Sequence, residues 1–170
     1  MSKKIGLFYG TTTGTTESIA ETIQQMFGND VVELHDISQA DTEDFDKYEY
    51  IIIGCSTWNQ GDMQSDWESF FEQLDEIDFS GKKIAYFGPG DQNGYPYSFQ
   101  DAMGMLEEKI SSLEGQTVGY TSIDGYDFQE SKALRNNKFC GLAIDEDNQS
   151  ELTQQRVQAW VTQLKQEFSL

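Results

Sequence analysis

Hydrophobic residues in this chain recur in two rhythms that take turns. Short continuous runs, IGLFY at 5–9, VVELH at 31–35, YEYIIIGC at 48–55 and KIAYFG at 83–88, have the length and apolarity of buried parallel strands. Between them the spacing becomes helical. Ile19, Ala20, Ile23, Met26 and Phe27 share one face of 17–27, which Gly28 ends. Further helices are predicted over 66–74, 99–113 and 152–168. A fifth strand begins in TVGYTSI at 117–123, breaks at the polar stretch DGYDFQESKALRNNK and resumes in FCGLAID at 139–145. The alternation predicts one α/β domain over residues 1–170, with a five-stranded parallel sheet wound on both faces. Its last strand is interrupted by an insertion of about fifteen residues, a length that usually has a task in a compact domain.

An open parallel sheet binds ligands in the crevice at the carboxyl ends of its strands. Three loops are expected there: GTTTGTT at 10–16, CSTWNQGDMQ at 55–64 and GPGDQNGYPYSFQ at 88–100. The first leads into a helix N-terminus, where unpaired N–H groups and the positive end of the helix dipole favour an anion. Thr11, Thr13, Thr15 and Thr16 add hydroxyl donors, and Gly14 lets the backbone approach closely. One helix cap needs one threonine, so the surplus points to a phosphate. The lysine and spacing of a P-loop are absent, as is a GxGxxG, which favours a terminal monophosphate held by neutral donors. Trp58 in the second loop and Tyr95 or Tyr97 in the third could sandwich a planar ring. A monophosphate joined to a large planar heteroaromatic ring is the outline of FMN.

Charge narrows the partners. Thirty acidic residues against 11 basic ones give a formal net charge of −19, which argues against nucleic-acid or membrane-surface binding and favours basic proteins. The plain alternative is that acidity serves solubility. Cys55 and Cys140 sit in apolar runs and form no CxxC, the pattern of buried thiols in a reducing compartment. Lys3 and Lys4 precede too few apolar residues for a leader or a membrane span, so a cytoplasmic location is expected. His35 ends the second strand, away from the three loops, and is expected to be structural; no Ser/His/Asp or HExxH arrangement is present.

The segments GTTTGTTES, IIGCSTWNQGDMQSDW, YFGPGDQNGYPYSFQDA and TSIDGYDF…KFCGLAIDEDNQ resemble the flavodoxins, specifically the long-chain type of cyanobacteria and some bacteria. The resemblance runs from about Lys4 to the final helix. It implies a flavodoxin-like three-layer sandwich of strand order 2-1-3-4-5, non-covalent FMN, and service as a low-potential one-electron carrier. It also implies photosystem I or a reductase as donor and ferredoxin-NADP reductase or another basic acceptor, in place of ferredoxin under iron limitation, and a monomeric state. Carried over by position, the phosphate loop is Thr11, Thr12, Thr13, Gly14, Thr15 and Thr16; the stacking aromatics are Trp58 and Tyr95. Ser56, Thr57, Asn59, Gln60, Gly61, Pro89, Gly90, Asp91, Ser98 and Gln100 fall in the ring-binding loops, and Asp147 lies near the flavin and ribityl region. Ser56, Gln60, Pro89 and Ser98 depart from the usual proline, aliphatic residue, threonine and asparagine. The alternative is an FMN-dependent quinone or flavin reductase of the same fold, which would need a substrate pocket over the ring.

Overall fold

The computed structural model describes residues 4–170; Lys3, weighed above as part of a leader, lies outside them. The chain opens with strand β1 (Ile5–Tyr9), buried at every position, and helix α1 (Thr15–Phe27), which returns it for β2 (Val32–Asp36). Next come β3 (Tyr50–Gly54), a hairpin of β4 (Thr57–Trp58) and β5 (Asp62–Met63), and the short helix α2 (Ser65–Phe70). β6 (Lys83–Pro89) and α3 (Asp101–Ser112) follow, then β7 (Gln116–Thr117), β8 (Thr121–Ser122), β9 (Leu134–Arg135), β10 (Lys138–Phe139) and β11 (Leu142–Ile144). Helix α4 (Thr153–Glu167) ends the fold.

The main sheet is parallel and runs β2-β1-β3-β6, with both β7 and β11 paired to the far edge of β6. Gln116 and Thr117 lie opposite Lys83 and Ile84, and Leu142 to Ile144 lie opposite Phe87 to Pro89. These two pieces are one interrupted fifth strand, which gives the order 2-1-3-4-5. The interruption is longer than the sequence pattern suggested. Thr121 and Ser122 leave the sheet and pair antiparallel with β10, which also pairs with β9. The departure is at Gly119, whose φ of 86° is in the left-handed region. A Cβ there would come within 3.0 Å of the Trp160 indole nitrogen, which donates to the Gly119 carbonyl at 2.9 Å.

Two cores lie on opposite faces of the sheet. One packs α1 and α4 through Ile19, Ile23, Val157, Trp160 and Leu164; the other packs α2, α3 and the insertion through Trp67, Phe70, Leu106, Ile110 and Phe139. The helix predicted over 66–74 tightens after Phe70 into a 3-10 turn, Phe71–Glu76, and both Leu74 and Ile77 are buried beside Phe70. The insertion is anchored through Arg135, which donates from Nε and Nη2 to Glu107 Oε1 at 3.0 and 2.8 Å, while Ser111 and Thr117 hydroxyls bond the other oxygen. Cys55 and Cys140 are free and buried, and burial pushes both thiols up to about 12. His35 stacks on Phe8 at 4.6 Å and its Nε2 lies 2.8 Å from the Tyr48 hydroxyl, a packing role. No helix among the described residues is long and apolar enough to cross a membrane.

Candidate cofactor cleft

Each wall of the cleft begins where a core strand ends. After β1 the chain turns at Gly10, whose N–H donates to Gly54, and enters α1 through Gly14, with φ 92° and no side chain capping the helix. The first-turn N–H groups of α1 are therefore open to an anion. Thr11 Oγ1 accepts from the Gly14 N–H at 2.9 Å and shapes the loop. Glu17, the acidic residue of that turn, instead accepts from the Tyr9 hydroxyl.

After β3, Thr57 Oγ1 accepts from the Ala102 N–H at 3.0 Å, docking the β4–β5 hairpin on the first turn of α3. Trp58 at the end of β4 is 37% exposed. The tip turns through Asn59 at φ 51° and Gly61 at φ 107°, and the Gly61 N–H closes it on the Trp58 carbonyl. Asparagine tolerates this left-handed conformation better than most side chains.

After β6, Asp91 organises the third wall. Its Oδ1 accepts from the Gly94 and Asn93 N–H groups and from Asn148 Nδ2, and its carbonyl accepts from Tyr95. The Gly94 N–H is the main reason that its carboxyl titrates below the ordinary range. Asn148 and Gln92 also donate to Asp145, which is fully buried. Carboxylate oxygens of Asp91, Asp145 and Asp147 fall within 4.8 Å of one another. Desolvation first, then the neighbouring Asp91 and Asp145, raise the pKa of Asp147.

The resulting cleft has a volume of about 310 Å³. It brings together Thr11, Thr12, Thr13, Thr15 and Thr16; Ser56, Thr57, Trp58 and Asn59; Pro89, Gly90, Asp91 and Tyr95; and Asp147. Of the two candidate tyrosines, Tyr95 lines it and Tyr97 does not. Five expected residues stay off the wall. Gly14 serves as the helix cap, and Gln60 is exposed at the hairpin tip. Gly61 borders a neighbouring groove with Met63 and Phe71. Ser98 is buried with its N–H on the Tyr95 carbonyl, and Gln100 is fully buried, donating to the Gly88 carbonyl at 2.8 Å. Glu146 is a lining residue that the motifs did not mark; its only signal is adjacency to Asp147. No Lys, Arg or His among the described residues lines the cleft.

The family profile described as Flavodoxin matches residues 7–160. This chain belongs to the flavodoxin family. The flavodoxin of Nostoc sp. is 66% identical over 170 residues, covering 100% of both chains. The flavodoxin of Synechococcus elongatus is 64% identical over 168 residues, covering 98% of this chain and 99% of its own. Among solved structures, Fusobacterium nucleatum flavodoxin bound to flavin mononucleotide superposes with a TM-score of 0.92 at 34% identity, covering 97% and 98% of the two chains. The sheet order and the split fifth strand are thus those of a flavodoxin-like α/β fold.

Proposed function

We propose that this chain is an electron carrier that holds FMN non-covalently and exchanges electrons one at a time with basic redox proteins. The observation that carries the reading is the meeting, in one cleft, of an uncapped helix N-terminus ringed by threonines with Trp58 and Tyr95. Thr11 to Thr13, Thr15, Thr16 and the first N–H groups of α1 would hold the phosphate. Trp58 and Tyr95 would cover the two faces of the ring, with Thr57, Asn59, Gly90 and Asp91 along its edge and Asp147 towards the ribityl chain. Bound FMN supplies reversible one-electron transfer.

The residues around it set the potential. A carboxylate about 8 Å from a developing negative charge costs about 2 kcal/mol at an effective dielectric near 20, and the cleft carries Asp91, Glu146 and Asp147 with no cation opposite them. Such surroundings oppose added electrons and favour a strong reductant. A reductase or photosystem I as donor and ferredoxin-NADP reductase as acceptor suit the acid surface, while service in the cytoplasm as a monomer replacing ferredoxin when iron is scarce is proposed on the family resemblance alone.

Titrating the apoprotein with FMN tests the reading. One equivalent is expected to bind with its fluorescence quenched by the stacked rings, and the lower of its two midpoint potentials is expected to fall below that of free FMN. Absence of saturable quenching, or a potential equal to that of free FMN, would overturn it.

A further inference from the structure

Gln64 is fully buried beneath the cleft, and each of its amide atoms is engaged. Its Oε1 accepts from the Asp66 and Trp67 N–H groups at 3.1 and 3.3 Å, so it caps α2. Two backbone donors on one side fix which end of the amide is oxygen. The nitrogen must therefore face the other way, where Nε2 donates to Asp66 Oδ2 at 2.9 Å and to Thr12 Oγ1 at 3.2 Å. The approach is tight: a Cβ on Gly10 would come within 2.1 Å of Gln64 Oε1. The Gln64 N–H also donates to the Ser56 carbonyl, tying the same residue to the second wall.

A hydroxyl that receives a hydrogen bond is left with its own hydrogen to give. Thr12 is exposed in the phosphate loop, and Gln64 makes its oxygen an acceptor from below. The Thr12 hydrogen is then free to be given to a ligand in the cleft, which Thr12 lines. We infer that Gln64 is a positioning residue that makes Thr12 an obligate donor and so sets how strongly the cleft prefers a phosphorylated ligand to the same ring without phosphate. The inference rests on the FMN reading, with the phosphate at the N-terminus of α1.

Gln64→Glu keeps the size and an oxygen for the Asp66 and Trp67 N–H groups; its second oxygen would face Asp66 Oδ2, so the titrations are run at a pH high enough to ionise it, where a second acceptor replaces the donor. The Thr12 hydroxyl would then turn to the carboxylate and away from the phosphate. Full-length apoprotein titrated separately with FMN and riboflavin reads the effect as the ratio of the two affinities. We expect Gln64→Glu to lower that ratio about tenfold or more, the fold-change of one hydrogen bond to a charged group. Thr12→Val should lower it comparably, and adding Gln64→Glu to Thr12→Val should change it less than about twofold, because coupled residues are not additive. Equal loss for both ligands in Gln64→Glu, or its full effect persisting without the Thr12 hydroxyl, would overturn the inference; the second result would mean that charge acts through space. If Gln64→Glu does not fold, Gln64→Met and Thr12→Val carry the test, and an unchanged ratio in both overturns it. Wild-type protein that binds neither ligand would overturn the FMN reading itself, whereas phosphate preference untouched by these variants would overturn only the role of Gln64.

Discussion

Asp91 shows how one side chain both shapes the cleft and makes it sensitive to acid. It gathers the Gly94, Asn93 and Asn148 donors that hold the turn below Tyr95, and these keep its folded pKa below the ordinary value of 3.8. A depressed pKa contributes stability that is complete above the unfolded value and is lost as pH falls through the folded one. Chemical unfolding below pH 3.8 should therefore show a shallower acid loss for Asp91→Asn than for wild type, and parallel curves would refute the assignment. The loop glycines, threonines and aromatics were legible in the sequence because their chemistry needs no partner to be recognised. Gln64 and Gln100 were not legible in role, since glutamine is ordinarily exposed and only the fold shows these two buried against backbone.

Elements were legible where a run was long enough to display its period. β1, β3 and β6 are buried on both sides and read as unbroken apolar runs, and α1 showed its stripe. The insertion was not legible beyond its existence, because β8, β9 and β10 have two residues each and two residues have no period. What holds it is a specific tie. Glu107 is 5% exposed and Arg135 supplies its only ion pair among the described residues, so Arg135→Met would leave a buried carboxylate held only by the Ser111 and Thr117 hydroxyls. We expect a loss of about 2–3 kcal/mol, under the ~3–5 kcal/mol of fully buried pairs because the Arg135 side chain is 30% exposed. Thermal unfolding checks the loss, and limited proteolysis should cut between 124 and 138 sooner in the variant. A variant as stable as wild type would mean that the aromatic contacts of Phe99, Phe128 and Phe139 suffice.

Over the whole molecule, the charge of −19 and the cation-free cleft predict salt responses of opposite sign. Transfer to a basic reductase should slow as ionic strength rises, since the Debye length contracts to about 8 Å near 0.15 M and steering weakens. FMN affinity should instead increase, because the same ions screen the protein's repulsion of an anionic ligand that no lysine or arginine among the described cleft residues meets. Stopped-flow rates and FMN titrations over one salt series measure both, and a shared direction would contradict the electrostatic account. Burial raises the Cys55 and Cys140 thiols far above neutrality, so they stay protonated at pH 7 and are sealed from reagents. Alkylation is then a clock for structural opening: Cys140 would time the release of the insertion and Cys55 the parting of the central sheet below the cleft, two stopwatches already installed in one chain.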